Sequence, residues 1–173
     1  AAYKYAAGEI DAMIVLSPKG VHFQWVDEQL PAHLGCAYQA WAWLKTKKAL
    51  EDFETRVKTF EGFKIVSMNV DACKTKDGFA FLETFIQSVH GRCLFAIDEA
   101  TSIKEARSAR AVAATKLGKK CKFRAILTGS PIAKNVADLW SEYMFLDPNI
   151  IGTKYFTTFR NNFCEVKPNG FQG

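Results

Sequence analysis

Asp98 and Glu99 follow directly on the apolar run Leu94-Phe-Ala-Ile97, with no polar residue between. Two carboxylates at the end of a buried strand are costly unless something compensates them. A hydrated Mg²⁺ carried on a nucleotide is such a partner, because it binds carboxylate and phosphate oxygens and keeps several waters. In that chemistry one carboxylate helps to hold the metal, and its neighbour can orient or deprotonate the attacking water. Taken alone, the pair reads more simply as the acid-decorated start of a helix, which the macrodipole favours.

Two further segments carry polar groups at the ends of apolar runs. Ser17-Pro18-Lys19 follows Ala12–Leu16, and Thr128-Gly129-Ser130-Pro131 follows Phe123–Leu127. Both stand where a parallel sheet gathers its active groups, although a strand-end T-G-S-P is on its own an ordinary tight turn. A serine hydrolase is a poor reading of Ser130, since no G-x-S-x-G elbow surrounds it and no His partner is placed. Cys36, Cys73, Cys93, Cys121 and Cys164 are odd in number and never in a C-x-x-C pair. They read as reduced thiols rather than a disulfide framework or zinc site. His22, His33 and His90 are isolated, and read as surface or packing residues.

The elements that must position these residues alternate along the chain. Ala1–Ala7 reads as a helix closed by Gly8, Ala12–Leu16 as a strand, and Val21 as the start of a helix that Pro31 ends or bends. Strands are expected over 37–44, Phe63–Met68, Cys93–Ile97 and Phe123–Leu127, the last two buried on both faces. Between them, Lys45–Phe60 has helical spacing of Leu50, Phe53, Val57 and Phe60, and Asp77 can cap a helix ending at Gly91. Ser102-Ile-Lys-Glu105 forms a capping box opening an Ala-rich helix that stops at Gly118. Val136, Leu139, Trp140, Tyr143 and Met144 stripe a last helix before Asp147-Pro-Asn. Such alternation calls for a parallel sheet covered by helices, with active groups in loops at the carboxyl ends of its strands.

The chain has 173 residues, of which 49% are hydrophobic and 24% charged, enough for one domain with a substantial core and too apolar for disorder. No run approaches the roughly 18 apolar residues of a membrane span, and the start lacks a signal-peptide pattern and an initiator Met, as in a fragment or processed chain. The net charge of +5 is uneven. Residues 100–124 carry eight cations (Lys104, Arg107, Arg110, Lys116, Lys119, Lys120, Lys122, Arg124) against Glu105 alone. That stretch can serve a polyanion or form an ordinary solvated surface.

IDEATSIK, then RAILTGSPIAKNVADLWSEYMFLDP, then Gly152 and Phe156, resembles the SNF2-type branch of superfamily 2 helicases, whose typical pattern runs I-D-E-A-H-x-I-K, L-T-G-T-P-I-x-N and F-L-x-P. MIVLSPKGVHFQWVDE resembles its motif Ia, and FKIVSMNVDA occupies the place of motif Ib. The order and spacing of these motifs cover essentially the whole chain. Asn69-Val70 and Thr101 look most like the compact bacterial or phage members.

The resemblance implies an α/β fold: a RecA-like three-layer domain with a mostly parallel sheet and helices on both faces. Residues 1–173 would be a partial N-terminal ATP-binding lobe of a DNA-dependent ATPase that translocates on duplex DNA, working with ATP, Mg²⁺ and a second RecA-like lobe of the same parent chain. Asp98 would position Mg²⁺ through water and Glu99 would activate the attacking water. Thr128, Gly129 and Ser130 would form the coupling motif III, and Ser17, Pro18, Lys19 and Asn69 would lie near the nucleic-acid backbone. The protein would reside in the cytoplasm of a bacterium or phage-infected cell, or in the nucleus if the source is eukaryotic. Three departures stand out: no G-x-G-K-[ST] occurs, so the chain reads as beginning after the P-loop; Thr101 replaces the usual His; and Ser130 replaces Thr. The alternative is a non-catalytic DNA-binding or scaffold module that keeps the lobe's shape.

Overall fold

A computed structural model describes residues 1–129 and 136–164. Five parallel strands, β1 (Ala12–Ser17), β2 (Tyr38–Ala42), β3 (Phe63–Asn69), β4 (Cys93–Asp98) and β5 (Phe123–Leu127), form one sheet in the order β2-β3-β1-β4-β5. The helices are α1 (Ala2–Ala6), α2 (Val21–Gln24), α3 (Leu30–His33), α4 (Lys47–Asp52), α5 (Lys76–Ser88), α6 (Ala109–Gly118), α7 (Leu139–Leu146) and α8 (Phe156–Phe163).

Residue alternation in β1 explains the layering. Ile14 and Leu16 enter one apolar cluster with Val66, Phe95 and Ile97, under Leu82, Phe85 and Ile86 of α5 and Ala114 and Leu117 of α6. Met13 and Val15 point the other way, into a second cluster with Phe63, Ile65, Ala96 and Leu30 of α3. A strand whose successive side chains are all apolar therefore needs cover on both faces, and the helices supply it. This is the expected three-layer arrangement. β5, at the sheet edge, is only partly covered: Leu127 is 43% exposed, so the fully buried strand read from its apolar residues is a half-buried one.

Several boundaries differ from the sequence expectation. Pro31 neither ends nor visibly breaks its helix: α2 and α3 are joined by a wide π turn over Trp25–Gln29, in which Leu30 N–H donates to Trp25 O. The wider turn leads into the proline, which has no N–H of its own to place. Another π turn, Phe53–Val57, continues α4. The cap of α5 is Thr75, whose Oγ1 accepts from Gly78 N–H at 3.1 Å; Asp77 instead pairs with Lys45 at 2.6 Å.

The capping box at Ser102 does not form. Ala100–Ile103 is a 3₁₀ turn, and α6 starts six residues later, capped by Ser108 Oγ accepting from Ala111 N–H. Gly91 has φ +70°, and a Cβ there would stand 2.6 Å from Lys120 O, so the turn into β4 requires glycine.

Candidate functional site

Sheet register brings the sequence-nominated residues to one edge. Ser17 lies opposite Asn69 at the ends of β1 and β3, and Asp98 lies opposite Leu127, the residue before Thr128. β1 and β4 are themselves paired, so four adjacent strands deliver these side chains along one line.

Asp98 is half-buried, and its Oδ2 accepts from the indole Nε1–H of Trp25 at 2.8 Å. The indole comes from the π turn, 73 residues earlier in the chain. Glu99 is exposed and sits in the left-handed region at φ 58°, ψ 70°. Non-glycine residues there cost energy and concentrate at functional sites. The conformation turns Glu99 out of the strand line. Its Oε1 accepts from Thr101 Oγ1 at 2.9 Å and from Thr128 Oγ1 at 3.5 Å, the second at the limit of a hydrogen bond. The link between the carboxylate loop and the loop after β5, which the loss of the usual His put in doubt, here runs through Glu99 itself.

Glu142 on α7 belongs to the same region, though the helical stripe read from the sequence omits it. Of the expected stripe Trp140 is buried, together with Ser141, Glu142 and Phe145, while Leu139, Tyr143 and Met144 are only half-buried. Glu142 is 2% exposed, and its Oε1 is without a hydrogen-bond partner among the described residues. Burial, reinforced by the carboxylates of Asp138 and Glu99, pushes its proton affinity above the ordinary Glu range. A charged residue inside an otherwise apolar helix was the available signal.

The other nominated residues fare differently. Ser17 is fully buried, its Oγ without a hydrogen-bond partner among the described residues, while Pro18 is half-buried and Lys19 exposed. His22 braces this loop: its Nδ1 accepts from Gly20 N–H at 3.3 Å, and burial lowers its pKa, so it is a packing histidine, as expected. Asn69 closes a turn by accepting Asp71 N–H on Oδ1. Gly129 is exposed, and a Cβ there would meet nothing within 4 Å. Ser130 lies outside the described residues.

The donor set discriminates among possible cations. Among the described residues no three His, Cys, Asp or Glu side chains gather to hold a metal by themselves. Asp98 offers one carboxylate with one oxygen already oriented by Trp25, which suits Mg²⁺ arriving on nucleotide phosphates. The residues present thus fit the carboxylate half of a Mg²⁺–nucleotide site, while the sequence contains no G-x-G-K-[ST] to cradle the phosphates.

The basic stretch is divided by the fold. Lys104 and Arg107 precede α6 instead of lying on it. Arg110 pairs with Asp71 at 3.6 Å and Lys120 with Glu83, so part of the excess charge is neutralised locally. Among the described residues no helix is long and apolar enough to cross a membrane.

Comparison with known proteins places this geometry. A solved structure, the Sulfolobus solfataricus SWI2/SNF2 ATPase core in complex with dsDNA, shares the fold with TM-score 0.63 and 24% identity over 93% of this chain and 30% of that one. Helicase SWR1 of Cryptococcus neoformans is 45% identical over 60 residues, 35% of this chain and 5% of that protein. TATA-binding protein-associated factor BTAF1 of Arabidopsis thaliana is 41% identical over 58 residues, 34% of this chain and 3% of that protein. The chain therefore spans a small part of the relatives it matches. The SNF2-related domain family is matched over residues 2–169, nearly end to end. With its five-stranded parallel sheet and its Asp98-Glu99 strand end, the chain belongs to the SNF2-related domain family.

Proposed function

We propose that the chain is the larger part of the first RecA-like lobe of a DNA-dependent ATPase that translocates on duplex DNA, acting with ATP, Mg²⁺ and a second lobe. The observation that carries this reading is the tie between strands at one sheet edge: Trp25 holds Asp98, and Glu99 gathers the hydroxyls of Thr101 and Thr128. Bound Mg²⁺–ATP supplies the phosphoryl group and neutralises its charge. The indole N–H fixes the Asp98 carboxylate through Oδ2, and this carboxylate would hold the hydrated cation. Glu99 accepts a proton from the attacking water, and the two threonine hydroxyls set its side-chain orientation. Thr128, with Gly129 and Ser130, then couples the state of Glu99 to the loop beyond β5.

Pro18, Lys19 and Asn69 stand at the same edge for contacts to the nucleic-acid backbone, with buried Ser17 supporting the loop from below. The dsDNA in the archaeal complex and the helicase name of the fungal relative support a DNA partner. A compact bacterial or phage origin rests on Asn69-Val70 and Thr101 alone, since the fungal and plant relatives are eukaryotic; a nuclear location goes with a eukaryotic source.

In the intact protein, Glu99→Gln is expected to abolish DNA-stimulated hydrolysis while sparing ATP binding, because the amide keeps the shape but takes no proton. Near wild-type turnover would exclude Glu99 as the base. The alternative is a non-catalytic DNA-binding or scaffold module that keeps the lobe's shape. An intact protein that binds DNA but no ATP would establish it.

A further inference from the structure

A groove of about 570 Å³ runs between α6 and the α7–α8 pair, on the β5 side of the sheet. Four cations line it: Arg107, Lys116, Lys119 and Lys154, all exposed. No Asp or Glu lines it, and none of the four has an ion-pair partner among the described residues. Val112, Met144, Tyr155 and Phe156 give the same groove an apolar lining. Tyr155 is 75% exposed, Phe156 42% and Val112 40%. Trp140 lies beneath, edge-on to Phe156 and tilted against the buried Phe159 at ring separations of 6.0 and 5.4 Å, so the floor is buried aromatic surface. Before the α6 N-terminus lies a second hollow of about 490 Å³, which shares Arg107, Trp140 and Phe156 and is itself balanced in charge, with Lys104, Glu105 and Asp138 on its lining, so the net positive charge belongs to the first groove.

We propose that this groove docks an acidic peptide segment carrying large apolar side chains, supplied by a partner protein. Charge decides the sign of the occupant: four unpaired cations around one concavity repel one another until an anion enters. The lining decides its class. A volume of this size takes a few side chains, and exposed Tyr155, Phe156 and Arg107 beside half-buried Met144 are residue types enriched in protein-binding patches. A duplex backbone offers phosphates and no apolar group to cover Tyr155, Phe156 and Val112. The groove also lies on the flank of the edge strand, whereas Lys19 and Asn69 follow the more central β1 and β3. The proposal stands apart from the nucleotide reading and holds whether or not the intact protein hydrolyses ATP.

The test uses the chain and a fluorescein-labelled peptide of about a dozen residues, rich in Glu and Asp with Leu and Phe between them. Fluorescence anisotropy should give saturable binding. Lys116→Glu with Lys154→Glu should raise Kd at least about tenfold. The equally charge-changing pair Lys48→Glu with Lys76→Glu, exposed elsewhere, should leave it within about twofold. Replacing Leu and Phe of the peptide by Ser should also weaken binding by about tenfold.

Circular dichroism of each variant checks that it is folded. No binding to the wild-type chain, equal loss in both double variants, or equal affinity for the Ser peptide would each overturn the proposal. So would preferential binding of a short DNA duplex that is lost in the Lys116/Lys154 variant, which would make the groove a nucleic-acid surface.

Discussion

Replacing Trp25 by Phe keeps an aromatic ring on its helix and removes only the N–H that reaches Asp98. Hydrogen bonds to charged groups are worth about 1.5–3 kcal/mol. Mg²⁺-dependent nucleotide binding by the intact protein is therefore expected to weaken about tenfold or more; an unchanged Mg²⁺ titration would remove Trp25 from the site. Glu142 gives a pH signature. Its folded-state proton affinity is raised by burial and by the Asp138 and Glu99 carboxylates. Its contribution to stability is thus fully present below the ordinary Glu range, about 4.3, and is lost as pH rises through the raised value. Glu142→Gln should melt with the wild type at low pH and above it at pH 8, by about 2–4 °C for each kcal/mol relieved. A Tm difference independent of pH would contradict this. Asp98 and Glu99 were legible as chemistry because carboxylates end an apolar strand. Trp25 and Glu142 were not legible as members of the site, because their partners are far away in the chain.

At the scale of elements, the two serines before α6 separate sequence pattern from structure. Ser102 has the spacing of a capping box, yet its Oγ is buried without a partner among the described residues, while Ser108 accepts the cap hydrogen bond from Ala111 N–H at 3.2 Å. Ser108→Ala is expected to cost about 1 kcal/mol, and Ser102→Ala to cost nothing or to stabilise slightly, as a buried unpaired hydroxyl is removed. Urea unfolding of both variants checks the pair; equal losses would mean that Ser102 also caps. The reason for the shift lies one residue after the strand. Glu99 in the left-handed region redirects the chain into a 3₁₀ turn, so the helix cannot begin at Ser102. Pro31 is the converse case. A local rule marks it as a terminator, and a wide π turn just before it lets the helix continue to His33.

At the scale of the whole molecule, the proposed reading gives these 173 residues the carboxylate half of a nucleotide site and no G-x-G-K-[ST]. The chain alone is expected to hydrolyse ATP no faster than background, with or without DNA, in a steady-state phosphate-release assay; DNA-stimulated turnover would show that it needs no separate phosphate cradle. The sequence by itself determined the α/β architecture, because uninterrupted apolar strands alternating with amphipathic helices can bury their side chains in few other ways. It also determined the order and spacing of Ser17-Pro18-Lys19, Asn69, Asp98-Glu99 and Thr128, since each ends or follows its own strand. Only the tertiary structure decided which of these meet. The order β2-β3-β1-β4-β5 sets Asp98 beside Leu127 and within reach of Trp25. It also leaves Ser17 buried while Lys19 faces solvent, and it packs α8 beside α7 so that cations distant in sequence ring one groove. The physical reason is that local pattern constrains each element's own periodicity and burial. The meeting of side chains from distant elements depends on sheet order, register and the packing of helices, to which no short stretch of sequence is sensitive.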